Sequence, residues 1–422
     1  MSVPRGEDIT GSVSKYAHEM RHEDGNETNR RVFLATSAAA AAALGAGATE
    51  AAAAGPQQPD VYARLGIRPV INGVGVVTHL GGSLMDTEVT QAMERASRCF
   101  VPLVELQARV GARIAELLGA EAAMVTGGCA SAITMGTVAC VAQGDKEKLK
   151  RLPDTAGMKN EIVQQRAHRG GYEQQMLLVG AKIVWVDTKE ELERAINERT
   201  AMLFFYNEME PEGKISRQEW IEVGKRRGVP TFNDAASDAT PMERLFQYQK
   251  EGFDLVAFSG GKAIRGPQCS GILMGRKDLI AAAVPGFTPY ASIGRGMKVG
   301  KEEMIGLLVA LERYLKADHA GKMKELEARV GEMREGLQGI KGLTTERYVP
   351  PIANHVPHVL VKWTAEASAM QTGDLTRKLM QGEPAIAVSG FGERQVKISV
   401  WMMQPGEHTI VLRRLREVFA QG

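Results

Sequence analysis

The most informative stretch of this chain is FSGGKAIRGPQ, residues 258–268. An apolar segment typical of a buried strand, residues 255–258, leads into it, and a second one, residues 270–274, follows it. Lys262 therefore leaves a strand end through two glycines, and this flexible backbone lets its amine reach a ligand in a crevice. A nucleophilic lysine needs a lowered pKa, which partial burial beside another cation such as Arg265 would supply.

Two further segments place polar groups at the ends of predicted strands. Residues 125–131, VTGGCAS, lead from a strand through a glycine turn into an apolar helix, an arrangement that favours an anion such as phosphate. By itself, such a glycine pair indicates only a tight turn. In residues 229–236, VPTFNDAA, Asp234 ends a strand and would face the crevice in which parallel sheets bind ligands. The alternative for Asp234 is the N-cap of the following element.

Together the three segments predict one site. The chain between Asp234 and Lys262 is long enough for a helical crossover and a neighbouring parallel strand, so both side chains would meet the glycine turn at one crevice. Pyridoxal 5′-phosphate (PLP) fits there, with its phosphate at the turn, its ring nitrogen at Asp234 and its aldehyde at Lys262. An aspartate beside the protonated nitrogen makes the ring an electron sink. The sequence therefore predicts an enzyme that carries PLP as a Schiff base on Lys262.

Short apolar segments alternate with helical periodicities, which predicts an α/β fold with a mainly parallel sheet covered on both faces. We expect a large domain at residues 55–300, connecting helices at residues 301–341 and a small C-terminal α+β domain at residues 342–422. The predicted strands are residues 122–125, 176–179, 182–186, 202–206, 230–232, 255–258, 270–274, 358–363 and 395–401.

Residues 1–54 have the composition of a leader. Arg30 and Arg31 precede an apolar, alanine-rich stretch, and the alanines at 51–54 supply small residues for a peptidase. This pattern is typical of a twin-arginine export signal, and the alternative is a disordered leader with a chance arginine pair. The apolar stretch is too short for a stable membrane span, which needs about 20 strongly apolar residues. We expect a periplasmic or exported protein that meets the twin-arginine machinery.

Charge and cysteine usage exclude several function classes. The formal net charge is only +2, so there is no basic excess to indicate a nucleic-acid partner. The histidines are scattered and the four cysteines lack Cys-x-x-Cys spacing, so we expect neither a disulfide scaffold nor a metal site. These cysteines are Cys99, Cys129, Cys140 and Cys269.

The lysine segment, SGGK followed by GPQ, resembles that of the bacterial selenocysteine synthase (L-seryl-tRNA(Sec) selenium transferase) family. Residues 68–72, 81–83, 110–113 and 296–303 resemble other segments of the same group, so the similarity spans most of the chain after the leader. The resemblance implies the aspartate aminotransferase-like fold of fold-type-I PLP enzymes. It also implies at least a homodimer, with the site near the subunit boundary.

The resemblance implies roles for particular residues. Lys262 would be the Schiff-base lysine and Asp234 the partner of the ring nitrogen. Around the phosphate we expect Gly128, Cys129 and Ser131, with Ser259 as a further candidate. Arg265 and Gln268 are candidates for phosphate or substrate contacts. His168 would lie over the ring, or would be a polar surface histidine in a glycine-rich loop.

The chain departs from the selenium transferases at its start, because the leader fills the stretch of their tRNA-binding N-terminal domain. It looks closer to the branch that contains D-glucosaminate-6-phosphate ammonia-lyase. We expect α,β-elimination from an amino acid or amino-sugar acid, with Lys262 as general base and with an oxo acid and ammonia as products. Arg394 is the candidate for the substrate carboxylate, since bidentate geometry suits arginine. Transferase, racemase and aldolase chemistry stay open, as does a PLP-binding protein without turnover.

Overall fold

The computed structural model describes residues 61–420. The predicted leader, residues 1–54, lies outside the described residues. A compact unit begins at Ile67, and helix α1, Val61–Arg64, lies in the segment before it. No helix in the described part of the chain is both long and apolar enough to cross a membrane.

The core of the unit is a seven-stranded sheet that follows the α/β pattern of the sequence. Its strands pair in the order β2-β8-β7-β6-β5-β3-β4. The pairs among β3 to β7 are parallel, whereas β8 runs antiparallel to both of its neighbours. The prediction of a mainly parallel sheet is therefore confirmed. The strands are β2 (Ala122–Thr126), β3 (Glu161–Gln165), β4 (Lys182–Val186), β5 (Thr200–Tyr206), β6 (Thr231–Asp234), β7 (Leu255–Ser259) and β8 (Gly271–Gly275).

Helices alternate with these strands because crossovers between parallel strands need them. Helix α4 (Cys129–Ala142) is apolar on all sides and buried along almost its whole length, as expected of a helix enclosed by protein. The others are α2 (Thr87–Ser97), α3 (Leu103–Leu118), α5 (Lys146–Arg151), α6 (Gln174–Leu177), α7 (Lys189–Ala195), α8 (Arg217–Arg227), α9 (Arg244–Glu251), α10 (Lys277–Ala283), α11 (Lys301–Lys316), α12 (His319–Gly336), α13 (Thr372–Gln381) and α14 (Glu407–Ala420).

A second sheet of five strands combines the two ends of the unit. Its order is β1-β11-β12-β10-β9, and β1 pairs in parallel with β11, whereas the other pairs are antiparallel. The strands are β1 (Val70–Gly73), β9 (Leu343–Tyr348), β10 (His358–Trp363), β11 (Ala385–Gly392) and β12 (Gln395–Ser399). Strand β1 therefore belongs to the C-terminal sheet. The domain boundaries at residues 300 and 341 stay a prediction.

The predicted strand at residues 176–179 is wrong, because the chain there forms helix α6 and its continuation. Met176 and Val179 are fully buried, whereas Leu177 and Leu178 are exposed. Buried residues three apart mark a helical face, but four consecutive apolar residues do not show that period in the sequence.

Candidate active site

The three segments singled out in the sequence lie at one edge of the seven-stranded sheet. Strand β8 runs opposite to both β2 and β7, so β2, β6 and β7 all end at the same edge. The glycine turn follows β2, Asp234 is the last residue of β6, and Lys262 follows β7. This is the edge at which open α/β sheets bind their ligands.

A cavity lies at this edge. Among its described lining residues, Lys262 is the one cationic side chain, and three carboxylates share the walls with it. The lining residues are Val76, Thr78, Gly82, Gly127, Gly128, Cys129, Ala130, Tyr172, Tyr206, Glu208, Asp234, Ala236, Ser237, Asp238, Ser259, Gly261, Lys262 and Gln268.

Lys262 is half-buried, and its Nζ donates a hydrogen bond to Ser237 Oγ at 2.6 Å. Ser237 follows Asp234 in the turn after β6, so one turn holds both the amine partner and the buried acid. The hydroxyl fixes where the amine points without neutralising it, because a serine oxygen carries no charge.

Asp234 is buried, and both of its hydrogen bonds end on Oδ1. The Cys129 thiol and the Ala236 backbone N–H donate to that oxygen, each at 3.1 Å. Oδ2 is therefore left without a partner among the described residues. Burial raises the pKa of Asp234, while the Cys129 thiol and Lys262 act against that rise. Burial also raises the pKa of Cys129 well above its usual range, so the thiol keeps the proton that it donates.

The turn at residues 127–129 begins helix α4 at the cavity wall. Gly128 has φ +110°, a conformation that side chains rarely adopt, and a Cβ there would meet open space. The first N–H groups of a helix have no partner within it, so this turn offers donors and a partial positive charge to an anion. The Ser131 hydroxyl lies buried just behind the turn without a hydrogen-bond partner among the described residues.

These features fit PLP. The α4 turn would hold its phosphate, Asp234 Oδ2 is available for the ring N–H, and Lys262 would take the aldehyde carbon. The cofactor would supply an electron sink for charge on a substrate carbon.

The segment after β1 covers the lysine loop. A Cβ at Gly82 would lie 2.4 Å from the Gly261 carbonyl oxygen, so only glycine permits this approach. Ser83 Oγ donates to that carbonyl at 3.0 Å, and Gln268 Nε2 donates to the Thr78 carbonyl at 3.0 Å. The contacts explain why the motifs at residues 81–83 and 258–268 occur together.

The structure brings six of the ten sequence-predicted residues to the cavity wall: Lys262, Asp234, Gly128, Cys129, Ser259 and Gln268. Ser131 lies behind the wall. Their roles toward PLP stay a prediction.

The structure does not bring His168 to the cavity, and it is not a surface residue either. The ring is fully buried, packs edge-on against Phe205 at 4.5 Å between centroids, and lies 3.2 Å from Gln165 Nε2. Burial lowers the pKa of His168 to about 4, so the ring is neutral at pH 7. It fills the space behind β5, where a neutral aromatic ring packs well.

The two predicted substrate arginines also lie away from this cavity. Arg265 turns out of the lysine loop with φ +60° and approaches Asp86 at 3.7 Å on the wall of a different cavity. It is therefore not the neighbouring cation expected beside Lys262. Arg394 sits in the short turn between β11 and β12, where its nearest carboxylate is Glu393 at 3.7 Å. Arg394 is not among the described residues that line the cavity.

Sequence reasoning missed six polar residues of the cavity wall: Thr78, Tyr172, Tyr206, Glu208, Ser237 and Asp238. Tyr206 OH donates to Glu208 Oε2 at 3.1 Å, and the Tyr172 ring meets Tyr206 edge-on. Their place in the sequence could have identified two of them, because Tyr206 ends β5 and Glu208 follows it at the ligand-binding edge of the sheet.

Asp238, one of these six, anchors the turn that carries Asp234. It is buried and accepts hydrogen bonds from Arg244 at 3.0 Å, from Asn207 at 2.5 Å and from the Ala353 backbone N–H at 2.8 Å. It thereby ties the site to the loop before β10.

Asp238→Ala is expected to destabilise the protein by about 3–5 kcal/mol, because it leaves the partly buried Arg244 guanidinium, the buried Asn207 amide and the Ala353 N–H without their shared acceptor. Urea unfolding measures the change. The control is Asp278→Asn, which removes a surface partner of Arg276 and should cost less than about 1 kcal/mol. Equal losses in the two variants would contradict the anchoring role.

Comparison with known proteins agrees with this geometry. Residues 176–335 match the model of the family described as SelA: L-seryl-tRNA selenium transferase. D-glucosaminate-6-phosphate ammonia lyase of Salmonella typhimurium (strain 14028s / SGSC 2262) is 31% identical over 376 residues, which cover 85% of this chain and 98% of the relative. A 5'-C-glycyluridine monooxygenase-decarboxylase of Streptomyces sp is 30% identical over 373 residues, which cover 85% of this chain and 91% of the relative.

Solved structures of PLP enzymes are similar to this chain as well. The structure of D-glucosaminate-6-phosphate ammonia-lyase has a TM-score of 0.75 and 30% identity, and the match covers 86% of this chain and 99% of that one. A PLP-containing serine palmitoyltransferase from S. paucimobilis, at 15% identity and TM-score 0.54 over 82% and 87% of the two chains, shares the fold alone.

Fold, site and relatives define the class: this is a PLP-dependent enzyme of fold type I. Within that class, the chain belongs to the selenocysteine synthase-like family, as its lysine segment indicated.

Proposed function

We propose that this protein is a PLP-dependent lyase that releases ammonia from a hydroxylated amino acid or amino-sugar acid by α,β-elimination. The observation that carries the proposal is the shared cavity lined by Lys262, by Asp234 with its unpartnered Oδ2, and by the first turn of α4. The relative from Salmonella typhimurium supports a lyase, because its name describes an ammonia lyase acting on an amino-sugar acid.

Lys262, Ser237 and Asp234 have separate roles in the elimination. Lys262, positioned by Ser237, removes the α-proton of the substrate as general base. The same amine can pass that proton to the departing β-hydroxyl, which leaves as water. Asp234 would hold a proton on the ring nitrogen of PLP, and the cofactor in that state would supply the electron sink for the α-carbon. Addition of one water to the resulting enamine gives the oxo acid and ammonia.

Other reactions begin with the same proton transfer. Selenium transferase-like transfer, racemisation and retro-aldol cleavage are the alternatives among enzymes, and a PLP-binding protein without turnover is the alternative of another class. The relative named as a monooxygenase-decarboxylase indicates that related chains differ in reaction. We place the lyase first on the strength of the ammonia lyase relationship.

The experiment that tests the proposal is a product screen with the purified, PLP-loaded protein. D- and L-hydroxyamino acids and D-glucosaminate, with and without a 6-phosphate, are offered, and ammonia and oxo acid are quantified together. The lyase releases both in equal amounts. Racemised substrate, an aldehyde product, or spectral changes without any product would each contradict elimination and support the corresponding alternative.

We further propose that the leader exports the folded protein through the twin-arginine route. Replacing Arg30 and Arg31 together with lysine is expected to leave the protein in the cytoplasmic fraction, because the arginine pair is the feature that the machinery recognises. Immunoblots of periplasmic and cytoplasmic fractions measure this, with Arg21→Lys in the same leader as control. Unchanged export of the double variant would contradict the proposal.

A further inference from the structure

A second cavity adjoins the cofactor cavity. It shares two wall residues, Val76 and Glu208, with the first. The segment after β1, the loop after β5 and residues of the five-stranded sheet line it. A substrate that is bound at Lys262 and is longer than a three-carbon amino acid can extend into this space.

The sheet face that lines the second cavity carries a cation. Alternate residues of a strand point to the same face, so Lys397 and Ser399 of β12 share it. His358 of β10 is directly opposite Ser399, and Tyr348 of β9 is opposite His358. All four side chains line the cavity.

Lys397 is half-buried and has no ion-pair or hydrogen-bond partner among the described residues. Its Nζ lies 5.4 Å from the centroid of the Phe391 ring, a contact that holds the side chain in place. Burial lowers the pKa of Lys397, and the Glu208 carboxylate opposes that change. An ammonium group that has lost water and gained no counterion binds an incoming anion favourably.

Among the described ionisable groups that line the second cavity, Lys397 is the one that can bind an anion by charge. Burial lowers the pKa of His358 to about 4, so this ring is neutral at pH 7. Glu208 accepts a hydrogen bond from Tyr206, and neither Glu208 nor Glu212 forms an ion pair with Lys397. The carboxylate oxygens of Glu208 and Glu212 in the cavity wall are acceptors for the hydroxyl groups of a substrate chain.

We propose that the second cavity is the subsite for an anionic group of the substrate, a carboxylate or a phosphate, and that Lys397 is the residue that binds it. The inference rests on the proposed function, because it assigns the substrate class of the same site. It predicts an acidic substrate whose charged group is separated from the reacting amine by the boundary at Val76 and Glu208.

The test compares ligands that differ by one charge, using equilibrium binding to the PLP-loaded protein measured by calorimetry. Glutamate against glutamine, with both enantiomers offered, reports on a carboxylate remote from the amine, and D-glucosaminate 6-phosphate against D-glucosaminate reports on a phosphate. The wild type is expected to prefer the charged member of one pair. Lys397→Met should reduce that preference by about ten- to a hundredfold, the size of a charge-assisted hydrogen bond. Lys397→Arg should keep it.

Lys362→Met is the matched control, since Lys362 lies on the neighbouring strand β10 but is exposed and pairs with Glu346 at 3.7 Å. It should leave both preferences unchanged. If Lys397→Met loses cofactor or unfolds, Lys397→Gln replaces it in the comparison. Unchanged preferences in the neutral variant, or a wild type with no preference in either pair, overturn the subsite. Binding needs no turnover, so a failure of the elimination reaction is seen separately as absent ammonia.

Discussion

Replacing Lys262 with alanine removes the visible absorption band of the cofactor-loaded protein and abolishes ammonia release. The amine is the group that would hold the cofactor aldehyde and then move the substrate proton, and no other cationic side chain lines that cavity among the described residues. Loss of the proton transfer alone is expected to reduce turnover about 10²- to 10⁴-fold. Absorption spectra and coupled ammonia assays measure the two effects.

The control for this variant is Lys250→Ala, an exposed lysine of α9 that lies over the Phe246 ring. It should keep both the band and the activity. Circular dichroism is expected to be unchanged in both variants, because Lys262 contributes one hydrogen bond, to Ser237. A Lys262→Ala protein that retains the band would show that another residue holds the cofactor.

Asp234→Asn has the second largest expected effect, a reduction of kcat by about 10²- to 10³-fold with the cofactor still held by Lys262. The amide has nearly the shape of the carboxylate but lacks the charge that keeps the ring nitrogen protonated, and losing one member of a buried ion pair costs several kcal/mol. Steady-state kinetics measure kcat, and the absorption band reports cofactor loading.

Asp187→Asn is a matched control for Asp234, because Asp187 also follows a parallel strand of the same sheet. Its carboxylate accepts a hydrogen bond from Arg166 at the surface and does not line the cavity. Its kcat should equal that of the wild type. Wild-type kcat in Asp234→Asn would remove Asp234 from the proposed mechanism.

The features that the sequence predicts well are those set by local pattern and by the direction of parallel strands. Lys262, Asp234 and the turn at residues 127–129 each follow a strand, and parallel strands present their ends at one edge. Once the strands are identified, these groups have to converge. This is why the PLP-binding fold and the three central segments of the site could be predicted without coordinates.

The features that the sequence misses depend on tertiary contacts. Parallel pairing of β1 with β11 joins segments more than three hundred residues apart, and no local pattern encodes it. Arg265 has a left-handed backbone and Arg394 lies in a hairpin turn, and both residues lie outside the cofactor cavity. His168 has a polar sequence context, yet the packing of Phe205 buries it. Lys397 resembles any strand lysine until the residues that line its cavity are known.

The central claim is that the amine of Lys262 carries the cofactor. Borohydride reduction of the PLP-loaded protein, followed by proteolysis and mass spectrometry of the peptides, locates the attachment directly. We expect the added pyridoxyl phosphate mass on the peptide that contains residues 258–268, and on its lysine. The same mass on a different lysine, or on none, would contradict the account.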